Sequence, residues 1–318
     1  MKPLHLTWVL AHEPYEVFHK AAAIFAAEIE AETNGKIIIE VLDLPEYNAK
    51  AGTAFTTMPE HRRAIVDLVD NGTFDMATVY VNTLAEINKD LYAWGLPFLF
   101  NDADQAQRAL DGEIGKYLLD GVAEKSNVRP LTYTFSGGFR TMPGTVAIES
   151  IDDFANLNVR CTNNPISVDM FADLSATPVK IATEDFAGSM QDGTVQVGEA
   201  TYPRFFLLGY DRASKFINHT EHNLFLTSIV VNKGLWGSFD EETKNIFARA
   251  AYNAAKIERG ESLASVEEVQ RTAASMGIET VKMTNAERNR FKNAVEPSYN
   301  KYETYFSSGV VKGLRNIH

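Results

Sequence analysis

The sequence predicts an α/β protein built as two lobes. Three observations carry this expectation. Strand and helix patterns alternate over residues 4–125 and again over residues 151–218, the order that yields largely parallel sheets covered by helices. The length, 318 residues, is too great for one small core and suits two domains. A single helical pattern covers residues 240–276; at roughly 1.5 Å per residue it would be about 50 Å long, more than one domain's width.

The elements follow in order. Leu4–Leu10 is apolar and reads as a strand. Over residues 14–34, Phe18, Ala22, Phe25 and Ile29 recur every three or four positions on one helix face, and Gly35 is the stop signal. Residues 37–42 are β-branched and apolar, a buried strand. Pro59 suits the first turn of a helix running to Val69, Gly72 ends it, and residues 74–80 return as a strand. Residues 102–125 are expected as one further helix. Residues 131–135 and 140–148 read as long strands separated by Gly137-Gly138, able to cross between lobes as a hinge. The second run gives a strand at Val159, a helix at 166–174, a strand at 178–181, a helix at 185–191, a strand at 195–197, a helix at 202–208 and a strand at 227–232. In the long helix Ile246, Ala250, Ala254 and Ile257 form the apolar stripe, and Asp240-Glu241-Glu242 sits where the helix dipole favours acid. Such a helix would brace both lobes. There are no repeats, low-complexity tracts or linkers.

Composition narrows the function. Hydrophobic residues are 45% and charged residues 23% of the chain, ordinary for a globular protein. No apolar run approaches the ~18 residues of a membrane span. The start of the chain reads straight into a strand, which implies either a cytoplasmic protein or a removed signal segment. A net charge of −12 argues against nucleic acid and anionic membrane surfaces, though a local basic pocket can still take an anion. The single cysteine, Cys161, excludes an internal disulfide and a cysteine-based zinc site.

The chemistry gathers at strand ends, where open α/β sheets bind ligands. Arg160 closes an apolar segment and is followed by the polar loop Cys161-Thr162-Asn163-Asn164-Pro165. A buried arginine is costly unless an anion meets it, and its planar fork matches a carboxylate. Either an internal Asp or Glu or a ligand supplies that anion. The other polar strand ends are His12-Glu13, Tyr80 to Asn82, and Glu199 to Tyr202. Glu13 reads either as a helix-start acid or as a ligand contact. His219-Thr220-Glu221-His222 lies in a loop without the helical spacing of a zinc protease, so no metal is expected. There is no phosphate-binding glycine loop, no dinucleotide fingerprint and no serine elbow; Ser136 sits among glycines with no marked base. No cofactor is expected.

Taken in order, the motifs resemble one family over most of the chain. The opening strand into His12-Glu13-Pro14-Tyr15, the helix ending Thr33-Asn34-Gly35-Lys36, the Leu96-Pro97-Phe98 segment, and residues 151–160 with their terminal Val159-Arg160 carry the likeness. Ala176-Thr177-Pro178, Gln191-Asp192-Gly193 and Val231-Asn232-Lys233-Gly234 follow at matching spacing. The chain resembles the solute-binding proteins of tripartite ATP-independent periplasmic (TRAP) transporters. The resemblance implies the two-lobed periplasmic-binding-protein fold, with crossing hinge strands and a long helix bridging both lobes. It implies lobe I over residues 1–134 plus about 224–252, lobe II over 135–223 plus about 277–305, and a ligand cleft between them. It implies a periplasmic monomer with no enzymatic activity that captures a small organic acid or zwitterion by lobe closure and delivers it to TRAP membrane subunits.

In that family an arginine at the Arg160 position pairs with the ligand carboxylate, a second arginine assists from the segment resembled by Gly138-Phe139-Arg140, and an aromatic at Phe225 packs on the ligand. Glu199 matches the acid of the family's Asp-Gly-x-Glu-Asn stretch, with Ala200 in place of its asparagine. Thr183 stands where some relatives carry an aromatic. Pro14 replaces an acid used by members that bind ectoine-type zwitterions; here Glu13 or Glu199 would oppose a positive end. The expected ligand contacts are Arg160, Arg140, Glu199, Phe225, Glu13, His12, Tyr80, Asn163, Tyr202 and His222. Two rivals differ in kind. An enzyme on the same fold acting on a small organic acid would show product formation, and the effector domain of a regulator would need a DNA-binding helix-turn-helix.

Overall fold

The computed structural model describes residues 2–13, 15–56, 63–162 and 164–317. Strands are β1 (Leu4–Leu10), β2 (Ile37–Asp43), β3 (Met76–Tyr80), β4 (Val128–Phe139), β5 (Met142–Gly144), β6 (Asn158–Cys161), β7 (Thr177–Lys180), β8 (Val197–Gly198), β9 (Phe216–His219), β10 (Leu224–Asn232) and β11 (Glu279–Lys282). Helices are α1 (Tyr15–Glu32), α2 (Leu44–Ala51), α3 (Ala64–Asp70), α4 (Val81–Leu84), α5 (Ala103–Asp111), α6 (Glu113–Lys125), α7 (Pro165–Asp173), α8 (Phe186–Gln191), α9 (Arg204–Leu207), α10 (Lys233–Ser238), α11 (Glu241–Ser275), α12 (Asn285–Glu303) and α13 (Val310–Arg315). Pro14 and Pro59, expected at helix starts, lie outside the described residues.

The chain divides into two compact units. The first holds residues 1–91, 107–136 and 226–261; the second holds 92–106, 137–225 and 262–318. In the first unit the sheet order is β2-β1-β3-β10-β4. β1 runs parallel to β2 and to β3, and β10 runs antiparallel to β3. The core fills one face with Leu6, Trp8 and Leu10 of β1, Phe18, Ala22, Phe25 and Ile29 of α1, and Phe247, Ala250 and Ala254 of α11. The four α1 positions whose period predicted the helix are all buried, and Ala21 joins them in the core. Trp8 meets Phe25 edge-on at 5.0 Å, and Phe25 meets Phe247 at 5.5 Å.

In the second unit the order is β11-β9-β5-β8-β6-β7. β6 is parallel to both β7 and β8. The two sheets thus repeat one arrangement: a strand (β1, β6) flanked by the next strand in sequence on one side and the one after it on the other. That reversal of direction is the topological switch point of a doubly wound sheet, and the crevice beyond its strand ends is where such folds place ligands. β1 and β3 end at Leu10 and Tyr80; β6 and β8 end at Cys161 and Gly198.

Several expectations need correcting. The helix expected over 102–125 is two helices, because Gly112 is extended (φ −83°, ψ −175°) and starts α6 afresh. A side chain at Gly115 would strike the Leu110 carbonyl, so this corner admits only glycine there. Gly137 and Gly138, at φ 96° and 79°, do not separate two strands; β4 continues through them, using a backbone conformation that glycine adopts at little cost. Residues 92–106, expected in the first lobe, belong to the second unit. There the Phe98 amide bonds the His222 carbonyl at 2.6 Å, Phe98 packs on Phe291 at 4.8 Å, and Tyr299 donates its hydroxyl to the Pro97 carbonyl at 2.8 Å.

The long helix is one unbroken element of 35 residues. Within the first unit Arg259 forks onto Asp111 with two bonds of 2.8 Å and onto the Tyr133 carbonyl. Beyond residue 261, Ser262 accepts from the Gly137 amide at 3.2 Å within the second unit. Replacing Phe25 with Ala, which empties the space between Trp8 and Phe247, is expected to cost about 3–5 kcal/mol; urea unfolding followed by tryptophan fluorescence measures it.

Candidate functional site

Arg160 lies on β6 at the second switch point, paired with Val179 of β7 and Gly198 of β8. Only 4% of it is exposed. Its Nε donates to the Ile181 carbonyl at 3.0 Å, Nη1 to the Glu199 carbonyl at 2.7 Å and Nη2 to the Thr183 hydroxyl at 3.0 Å. The guanidinium carbon stands 5.5 Å from the centre of the Phe186 ring. Gly198 makes this placement possible: a Cβ there would lie 2.6 Å from the Arg160 Cβ and 2.6 Å from Phe186. Among the described residues no carboxylate comes within ion-pair distance of Arg160. Three of its five N–H groups are spent on neutral oxygens, leaving one on each terminal nitrogen.

Glu199 follows β8 directly and is fully buried. One carboxylate oxygen accepts from the Thr162 amide at 3.0 Å; the other accepts from Ser167 Oγ at 3.2 Å and faces His222 Nε2 at 3.2 Å and Arg140 Nε at 3.8 Å. Burial alone would raise the Glu199 carboxyl, but the Arg140 charge, the His222 hydrogen bond and the Thr162 amide together hold it well below the usual carboxylate range. An ionised carboxylate only accepts, so His222 Nε2 carries a proton. Burial, helped by Arg140 and Arg288, pushes the His222 pKa down against the pull of Glu199, so the ring is neutral and Nδ1 accepts from Thr220 Oγ1 at 2.8 Å. Glu199, expected to face the positive end of a ligand, is instead enclosed by protein donors and sets the position of Arg140 and His222.

Arg140 is 4% exposed, and its guanidinium carbon lies 4.2 Å from the centre of the Phe225 ring. Arg204 is 2% exposed, lies 4.7 Å from the same centre, and donates to Thr201 Oγ1 at 3.0 Å. Among the described residues of the second unit, the buried charged side chains are Arg140, Arg160, Arg204 and Glu199. Three cations against one carboxylate suit an anion from outside. Tyr202 is 2% exposed, and its hydroxyl meets His219 Nδ1 at 2.7 Å and Gln270 Nε2 at 2.8 Å; burial pushes its pKa up to about 12.

The first unit brings together another expected pair. His12, just past β1, stacks on Tyr80 at the end of β3, centre to centre 3.7 Å. They occupy the switch point of the first sheet, with half-buried Glu13 beside them. Asn163 lies outside the described residues. Cys161 is buried at 1% exposure, and burial followed by the Glu199 charge pushes its thiol up to about 12. Sequence reasoning missed Arg204, Phe186 and Ser167. Arg204 had a local signal, an arginine at the first position of a short helix beside a polar strand end.

A family model described as bacterial extracellular solute-binding protein, family 7, matches residues 10–305. The chain belongs to that family. Its members are extracytoplasmic solute receptors, and solute binding is the function that membership gives this chain. A solute-binding protein of Chromohalobacter salexigens is 25% identical over 292 residues, 92% of this chain and 82% of the relative. The 2,3-diketo-L-gulonate-binding periplasmic protein of Escherichia coli is 22% identical over 87% of this chain and 80% of its own length. Among solved structures, a TRAP periplasmic solute-binding protein of Ochrobactrum anthropi superposes with a TM-score of 0.87 at 20% identity, covering 98% of this chain and 94% of that one. Another, from Chromohalobacter salexigens with bound D-glucuronate, gives 0.83 at 23% identity over 98% of this chain and 100% of that one.

The buried pair gives a pH prediction. His222 titrates lower in the folded protein than its ordinary 6.5, and Glu199 lower than its ordinary 4.5. The unfolded chain therefore binds more protons in acid. The His222 contribution is complete above about pH 6.5 and is lost as pH falls through that value, and the Glu199 contribution is lost below about pH 4.5. The melting temperature is expected to fall between pH 7 and pH 5, and to fall less in His222→Gln. A slope unaltered by that substitution assigns the acid sensitivity elsewhere.

Proposed function

We propose that this chain binds a small organic acid through its carboxylate, with Arg160 as the anchor and Arg140 assisting, and passes it unchanged to TRAP membrane subunits. One observation carries the reading: a guanidinium 4% exposed, with neutral partners only among the described residues and one N–H remaining on each terminal nitrogen. A buried cation without a counter-ion is costly, and a carboxylate spanning the two terminal nitrogens would relieve it. The fixed bonds to Ile181, Glu199 and Thr183 hold the fork before the solute arrives, which lowers the ordering cost of binding.

Phe225 presents its ring to Arg140 and Arg204 and keeps both guanidiniums in place. Tyr202 and His222 act one step back from the solute, through His219 and Glu199 respectively. By the same switch-point argument, His12, Tyr80 and Glu13 are assigned to solute contact in the first unit, and Asn163 to the loop after Arg160. The protein works outside the cytoplasm, as a monomer and without turnover, its one thiol held at about 12 and closed to solvent.

Solved relatives carry D-glucuronate, D-erythronate, galactonate and succinate, and these set the first panel for thermal-shift and calorimetric screening. Arg160→Ala is expected to weaken the best acid by about 2–5 kcal/mol, roughly 30- to 5,000-fold, while circular dichroism stays native. Unchanged affinity in that variant removes Arg160 from the site, and chemical conversion of the bound acid would favour the enzyme reading.

A further inference from the structure

Asn223 lies between His222 and the first residue of β10. It is 6% exposed, and its main-chain carbonyl accepts from the Arg140 amide at 2.9 Å. Its side-chain Oδ1 is buried and meets no donor among the described residues; within the second unit it is the one such side-chain atom there. Buried acceptors are almost always paired, and one left unpaired is destabilising. Asn223 stands at the bend that leads into β10, directly after His222, whose ring faces Glu199, and shortly before Phe225. Phe225 is the ring that carries Arg140 and Arg204. The residue that carries the unpaired amide oxygen is therefore tied to the arginine cluster through its main chain, its carbonyl held by the Arg140 amide.

The chemistry of that oxygen restricts what can meet it. An amide oxygen accepts and cannot donate, so a carboxylate gives it nothing. A hydroxyl or an ammonium can. An ammonium would be a fourth cation beside three buried arginines and one carboxylate, an arrangement Coulomb repulsion opposes. A hydroxyl donates without charge. We propose that Asn223 is a specificity residue that accepts a hydrogen bond from a hydroxyl on the solute, selecting hydroxy acids over plain carboxylates and amino acids. The proposal rests on the carboxylate reading for where the solute sits. A site that hydrogen-bonds a substrate hydroxyl rejects the analogue lacking it, because its own polar group is then left unpaired.

Calorimetry on the intact protein tests it with matched sets: both enantiomers of malate against succinate and aspartate, and D-gluconate against its 2-deoxy and 3-deoxy forms. At least one hydroxy acid is expected to bind tenfold or more tighter than its deoxy and amino counterparts. In Asn223→Leu that ratio should collapse toward one, whereas Arg160→Ala, or Arg160→Lys should the alanine variant not fold, should weaken all members together. The unliganded Asn223→Leu protein is expected to melt about 2–4 °C higher, since it no longer buries an unpaired acceptor. If no acid in these sets binds, that shift alone decides. A ratio unchanged by Asn223→Leu, a wild type indifferent to the hydroxyl, or a lower melting temperature overturns the proposal, the last marking a structural residue. If instead Arg160→Ala binds normally while Asn223→Leu loses the hydroxyl preference, the carboxylate anchor fails and the role of Asn223 stands.

Discussion

The buried carboxylate of Glu199 is the interaction on which the rest of the second unit's polar interior depends. It takes Thr162, Ser167 and His222 as hydrogen-bond partners and Arg140 as its counter-charge. Its own main-chain carbonyl takes the Nη1 donor of Arg160. One residue after β8 therefore fixes two guanidiniums by two different groups. Removing its charge would take a counter-charge from Arg140 and an acceptor from His222 together, so the electrostatics of the cluster cannot be divided into independent pairs.

That dependence follows from topology. In each sheet the central parallel strand has neighbours on both sides that leave in opposite directions, and polar residues can emerge only where those strands end. The first sheet fills its opening with the His12–Tyr80 stack, the second with guanidinium and carboxylate. The close approach at Gly198 lets Arg160 lie flat against β8 and Phe186. A residue without chemistry of its own is thus as necessary to the site as the arginine.

Much of this was legible in the chain. The apolar period of α1, the length of α11 and the βαβ order are local signals, and Arg160 at a strand end was visible because polar residues punctuate an apolar segment there. What was not legible depends on distant packing. Residues 92–106 join the second unit through Phe98, Pro97 and their partners on α12, contacts separated by about two hundred positions. β9, β11 and α12 carry weak periodicity and are specified by the sheet edge and core they cover. Arg204 opens the short helix α9, and its burial against the Phe225 ring is set by a residue of β10 that is distant in sequence. Glu199 was identified as important, but only its neighbours in space show that its carboxylate is enclosed.

Cys161, next to Arg160, is the chain's one cysteine. Closed to solvent and kept protonated to about 12, it is silent toward alkylating reagents and mild oxidants at neutral pH. The protein therefore starts with a chemically blank surface. A single cysteine introduced on any exposed position would take a fluorophore or spin label alone, which makes this chain a ready scaffold for an optical sensor of its own solute.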